Sequence, residues 1–197
     1  MPEKLKLYFA DSNDGHFSIN SMLPQNMVFK FYKELNVVKT GRIRVETHGS
    51  ECFLSVNAMH ELVCLKSVAE IPPYHKGIFT IKFYKQKDEV LADKTVVHTY
   101  YVSIGVLIMN CVNCNTGMHL YINSKQTTGT VKVVLGKEES LLKILYLSKG
   151  IEKEGEFLIN PMDRSNPFHI VEEKDGYFYT RSSDHRGMAA KFTLIPE

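Results

Sequence analysis

The sequence predicts an all-β fold built as a single antiparallel domain. Three observations carry that expectation. Short runs of β-branched and aromatic residues recur from Leu5 to Ile195, Gly, Pro, Asn and Asp punctuate them, and almost no stretch has helical periodicity. The first strand is read at the N-terminus, where Leu5, Leu7 and Phe9 alternate with Lys6 and Tyr8. Val28-Phe29-Lys30-Phe31-Tyr32, Arg42-Ile43-Arg44-Val45, Phe79-Thr80-Ile81-Lys82-Phe83 and Val131-Lys132-Val133-Val134 repeat the pattern. Alternation of this kind suits antiparallel strands with one face in water. Val102–Met109 and Leu141–Leu147 are apolar on both faces and are therefore expected to be central. Lys137 to Leu147 holds the one segment with helical character. Glu70–Gly77, Gln86–Asp93 and Asn160–Asn166 read as loops, and Asp184-His185-Arg186-Gly187 reads as a hairpin turn between Tyr177–Arg181 and Lys191–Ile195. About a dozen strands result, which leaves two architectures open, a two-sheet β-sandwich and a β-trefoil.

Composition sets the frame. A chain of 197 residues with 44% hydrophobic and 23% charged residues is that of an ordinary soluble domain, and residues 1–197 are read as one unit. Roughly 70% of the surface of such a chain is buried on folding, so neither metal nor disulfide is required for stability. The 24 basic residues are nearly balanced by 22 acidic ones, for a net charge of +2. That total gives no support to a nucleic-acid or membrane surface. The longest apolar run, Val102–Met109, is far too short to span a bilayer, and no signal-peptide pattern opens the chain. Cys52 and Cys64 fall inside apolar segments and read as free thiols acting as small hydrophobes. A cytoplasmic, reducing compartment follows, with signal-less secretion as the other route.

A short element recurs along the chain: an aromatic or aliphatic pair, a small polar residue, then a turn into another strand. It is present in Gly15–Ile19, Glu51–Val56, Thr99–Ser103 and Gly176–Thr180. The stretch Gly41–Asn57 resembles a fibroblast-growth-factor repeat. The tail, from Glu156-Phe157-Leu158-Ile159-Asn160 through Phe168–Val171 and Gly176–Thr180 to Lys191–Ile195, resembles the last repeat of an interleukin-1 cytokine. The resemblance covers about half of the chain. It implies a β-trefoil and a receptor-binding role without catalysis. The absence of Trp removes the sugar-binding repeat of ricin-type trefoils.

The sharpest local motif is Cys111-Val112-Asn113-Cys114. Two thiolates at this spacing can grip one zinc ion, with His119 close enough to be a third ligand, but a structural site needs four. Cys52, Cys64, His48 and His60 could complete it only if the fold gathers them. The segment Asn110–Met118 also resembles a stretch of the immunoglobulin-like DNA-binding domain of tumour-suppressor transcription factors, without that family's zinc set or basic run. A loop with two incidental thiols outweighs a zinc site at Cys111 and Cys114, and no helix follows to lower a thiol pKa for redox work. Met59-His60-Glu61-Leu62 lacks the second histidine of a zinc-protease helix, and no phosphate cradle, nucleophile elbow or carboxylate pair is present.

The expected function is a non-enzymatic protein-interaction module, cytokine-like or receptor-binding, with another protein as partner and its surface carried by loops. Two other classes make distinct structural demands. A nucleic-acid-binding β domain, stapled by zinc at Cys111 and Cys114, requires the lysines of 28–33 and 79–85 to gather beside exposed rings. An enzyme with a site assembled from distant strands requires a deep pocket holding two or more of the eight histidines.

Overall fold

A computed structural model describes residues 6–9, 29–47, 50–70, 76–90, 94, 96–107, 115–121, 131–132, 134–136, 141–146, 155–161, 169–172, 176–181 and 189–196. Within them the chain forms fourteen strands and one short 3₁₀ turn at Val68–Glu70. The strands are β1 (Lys6–Phe9), β2 (Phe29–Thr47), β3 (Ser50–Val56), β4 (Leu62–Leu65), β5 (Phe79–Val90), β6 (Val96–Leu107) and β7 (Asn115–Tyr121). They continue as β8 (Val131–Lys132), β9 (Val134–Gly136), β10 (Leu142–Tyr146), β11 (Phe157–Pro161), β12 (His169–Glu172), β13 (Phe178–Arg181) and β14 (Lys191–Pro196). All strand pairs are antiparallel, as the alternating sequence requires.

Six strands pair in a closed ring. β2 pairs with β5, β5 with β6, β6 with β10, β10 with β11, β11 with β14, and β14 returns to β2. Period-two patterning fills the interior of that ring. Ile43 and Val45, Phe79, Ile81 and Phe83, Val102, Ile104 and Val106, Leu142 and Ile144, Phe157 and Ile159, and Phe192 are all buried in one cluster. An aromatic chain follows the same circuit. Phe83 meets Tyr100 edge-on at 5.8 Å, Tyr100 meets Tyr146 at 5.4 Å, Tyr146 meets Phe157 at 5.4 Å, and Phe157 stacks on Phe192 at 6.0 Å. Each such pair adds about 0.5–1.5 kcal/mol beyond the burial of its area.

Three hairpins interrupt the ring strands in sequence. The hairpin β3–β4 lies between β2 and β5, β7–β9 between β6 and β10, and β12–β13 between β11 and β14. The chain thus runs three times along one path of ring strand, hairpin, ring strand. The hairpins also join one another. Leu135 donates its N–H to the His60 carbonyl at 2.9 Å, Val63 bridges Tyr177, and β13 pairs with β8.

β2 has ring partners on both edges, and Gly41 is where they converge. It sits opposite Phe79 on one side and Pro196 on the other. A Cβ on Gly41 would lie 2.1 Å from the Ile195 carbonyl oxygen, so only glycine lets β14 come this close.

Four sequence expectations change. Gln86–Val90, read as loop, continues β5, because these polar residues pair with β2 on one edge and β6 on the other. Residues 29–32 of the first run and the run 42–45 belong to one strand of 19 residues. Residues 142–146, inside the segment of helical character, form the central strand β10 that their two-sided apolar character suggests. Finally, β13 and β14 are not a hairpin: β13 pairs with β12 and β8, whereas β14 pairs with β11 and β2. The intervening Asp184–Gly187 lies outside the described residues.

Two predictions follow from this interior. Gly41→Ala lowers unfolding stability by about 2–3 kcal/mol, because backbone rather than a pliable side chain meets the new methyl; urea denaturation reads the loss. Tyr146 tests the packing through pH. Burial, and then the neighbouring Tyr100, push its hydroxyl up to about 12 from an ordinary value of 10. The folded state therefore keeps a proton that the unfolded state gives up, so this contribution is complete below pH 10 and is lost as pH rises toward 12. Tyr146→Phe should flatten the alkaline fall in stability measured between those values.

Candidate interaction surface

Beyond the ring, the first half of β2, the second half of β5 and the first half of β6 continue as a ribbon, with β1 on the free edge of β2. Two register shifts shape its outward face. One lies between Glu34 and Val37 on β2, the other between Phe83 and Lys85 on β5. The second puts Tyr84 and Lys85 consecutively on the outward face, which a regular strand cannot do. Tyr84 is 40% exposed and Val38, opposite Lys82, is 56% exposed. The strand of Tyr84 is paired with β2 on one edge and β6 on the other, and Val38 pairs across to Lys82, so the two are held in fixed register.

Two lysines of this face, Lys85 and Lys87, are matched by neighbours. Lys85 lies 4.4 Å over the Tyr32 ring and opposite Glu34. Lys87 pairs with Glu89 at 2.5 Å. Burial pulls the Lys87 ammonium toward neutrality, but the hydrogen bond and charge of Glu89 outweigh it and its pKa rises. Tyr101, opposite Lys85, has its pKa raised by burial against the opposing charge of Lys87. On the other face of the ribbon, His98 Nδ1 meets Asp88 Oδ1 at 2.5 Å, and Gln86 donates to the same oxygen at 2.9 Å.

Lower on the outward wall, Thr40 and Thr80 bring their hydroxyls to 3.2 Å, and the Tyr84 hydroxyl lies 3.3 Å from Ser103 Oγ. A water-sized notch opens beside them, bounded by Thr80, Lys82, Ser103, Gly105, Leu107 and His119. His119 Nδ1 is buried there without a hydrogen-bond partner.

The lysine test set by the sequence has a mixed outcome. Register puts Lys30, Lys82 and Lys85 on one face with an exposed ring, while Lys33, opposite Gln86, belongs to the other. The histidine test finds His119 alone in its notch, and His98 is held by Asp88 on a separate face. His60 occupies the β3–β4 turn with φ of 62°, a turn pinned by Asn57 Oδ1, which accepts from Met59 and Glu61 N–H at 3.0 Å.

Cys111 and Cys114 lie outside the described residues. Cys52 and Cys64, read as free thiols, are instead disulfide-bonded across β3 and β4 with Cα atoms 5.5 Å apart. Register explains this: Cys64 lies opposite Leu54, so Cys52 is its diagonal neighbour on the same face. The bond withdraws both sulfurs from any zinc set completed at Cys111 and Cys114. Among the described residues no group of three or more His, Cys, Asp or Glu side chains could hold a metal ion. Nor is any described helix long and apolar enough to cross a membrane.

No protein-family model matches the chain, and neither a curated protein nor a solved structure matches it.

The bridge spans a sequence separation of 12 residues. Reduction by dithiothreitol, or a Cys52→Ser/Cys64→Ser double variant, should therefore cost about 2–3 kcal/mol of unfolding free energy.

Proposed function

We propose that this chain is a β-trefoil protein-interaction module without catalytic activity, cytokine-like in design, which engages a partner protein through the outward wall of β2, β5 and β6. Of the two architectures left open by the sequence, the closed six-strand ring and its three mutually joined hairpins support the trefoil. The observation that carries the functional reading is the pairing of exposed Val38 and Tyr84 on a wall of fixed register, amid polar and charged neighbours. A central aromatic and aliphatic anchor with a polar rim is the composition of a protein interface.

The nucleic-acid alternative has weaker support. Phosphate binding needs a run of lysines whose charge is available, whereas two of those on this face, Lys85 and Lys87, already have partners in Tyr32 and Glu89. The Cys52–Cys64 bridge supports work in an oxidising compartment rather than the cytoplasm. A cell-surface receptor is the partner class consistent with both the bridge and the cytokine-like repeats.

Two assays test this reading together. Fluorescently labelled protein should bind saturably to intact cells, and a Val38→Asp/Tyr84→Ala variant of unchanged thermal stability should bind at least about tenfold more weakly. Anisotropy with a labelled thymidine oligonucleotide should give a Kd no tighter than about 10⁻⁴ M at physiological salt. Micromolar, steeply salt-dependent oligonucleotide binding, or cell binding indifferent to the double variant, would contradict the proposal.

A further inference from the structure

We infer that the notch between β5, β6 and β7 is a carboxylate-binding pocket that receives an acidic side chain of the partner protein. This rests on the protein-binding reading of the wall and names the chemistry that the partner brings to it. Three features carry it.

The first is the lining. Thr80 and Ser103 contribute hydroxyls, Lys82 an ammonium and His119 an imidazole, while Gly105 and Leu107 supply the remaining surface. Every polar side chain there can donate a hydrogen bond, and no carboxylate is among them. Groups that can all turn a donor toward the notch, one of them a cation, with no carboxylate to repel a charge, favour an anion.

The second is the orphaned nitrogen. His119 Nδ1 is shut off from water and has no partner, although an unmade hydrogen bond at a buried polar atom costs about 1–3 kcal/mol. A turn of the imidazole toward the notch would bring Nδ1–H to an incoming carboxylate oxygen and remove that cost. The bond would also fix the imidazole in the Nδ1–H tautomer.

The third is the space. The notch is water-sized, which suits one oxygen of a carboxylate and not a whole nucleotide or sugar. Gly105 helps keep it open: a Cβ there would stand 3.6 Å from His119 Nδ1 and 3.7 Å from Cε1. These are ordinary contact distances. Gly105→Ala is therefore compatible with the fold, yet it puts a methyl against the ring atoms that the anion must reach.

The site adjoins the proposed anchor directly. Ser103 is held by the hydroxyl of Tyr84, and Lys82 lies opposite Val38. An acidic residue on a partner packed against Val38 and Tyr84 would thus reach the notch.

Acetate is the probe. Long-range ¹H–¹⁵N spectra of the full chain follow the His119 ring nitrogens at constant pH, with sodium chloride exchanged for sodium acetate at fixed ionic strength. The expected result is a saturable His119 shift toward the Nδ1–H tautomer, half-complete below about 100 mM, with His98 unaffected. Gly105→Ala, at unchanged thermal stability, should weaken that response at least about tenfold, and Lys82→Met provides a second variant that leaves the strand backbone intact. Absence of a saturable shift, an equal shift at His98, or an undiminished response in both variants would overturn the carboxylate pocket. Failure of the two readings is distinguishable. Oligonucleotide binding would refute the protein partner while leaving the acetate response in place. Loss of cell binding in Val38→Asp/Tyr84→Ala with no acetate response would refute the pocket alone.

Discussion

The return of β14 to β2 is the contact on which the rest of the molecule depends. Six antiparallel strands left open would present two unpaired edges and no enclosed volume. Joining Lys191–Pro196 to Gly41–Glu46 removes those edges and turns the inward alternation of six strands into one shared interior. The join also fixes a residue. With β5 on one edge and β14 on the other, the backbone at Gly41 has no room for a side chain. Closure, aromatic circuit and hairpin cap are then mutually dependent. Phe192 reaches Phe157 and Phe178 only because β14 lies beside β11 and near β13.

The proposed interaction surface arises from the same closure by way of strand length. β2, β5 and β6 are longer than the ring needs, and their surplus becomes a ribbon whose faces are not dictated by core packing. A register shift on β5 then turns Lys85 outward, beside Tyr84, out of the alternation that buries Phe79, Ile81 and Phe83. The Tyr84 ring, outward in that alternation like Thr80 and Lys82, stands at 40% exposure next to it. Below it, Ser103 and Gly105 occupy the outward positions of a strand whose inward positions are Val102, Ile104 and Val106. Small residues on that face make the notch, and larger ones would close it.

Much of this was legible in the sequence, and the parts that were not have physical reasons. The all-β class follows from period-two alternation, which burial enforces along Phe79–Phe83 and Arg42–Val45. The centrality of Val102–Leu107 and Leu142–Tyr146 follows from their two-sided apolar character. Gln86–Glu89 gave no such signal, because its stability as strand comes from pairing to β2 and β6 and from cross-strand partners such as His98 on Asp88 rather than from buried apolar area. The disulfide was equally hidden, since spacing between Cys52 and Cys64 does not reveal that their strands pair diagonally. The apparent hairpin at Asp184–Gly187 failed for another reason: ring closure takes β14 to β2, an alternative that local turn chemistry cannot weigh. The donors of the notch come from Lys82, Ser103 and His119 on three strands, so no local motif announces them.

Ring closure can be tested most directly by cross-strand nuclear Overhauser effects, between α-protons at non-hydrogen-bonded pairs and between amide protons at hydrogen-bonded ones. The account predicts that β14 shows contacts on both edges, with β2 at the rows of Phe192–Val45 and Leu194–Ile43 and with β11 at Phe157–Phe192. Contacts from β14 to one neighbour only, or a β14–β13 hairpin in their place, would mean an open sheet and would contradict it.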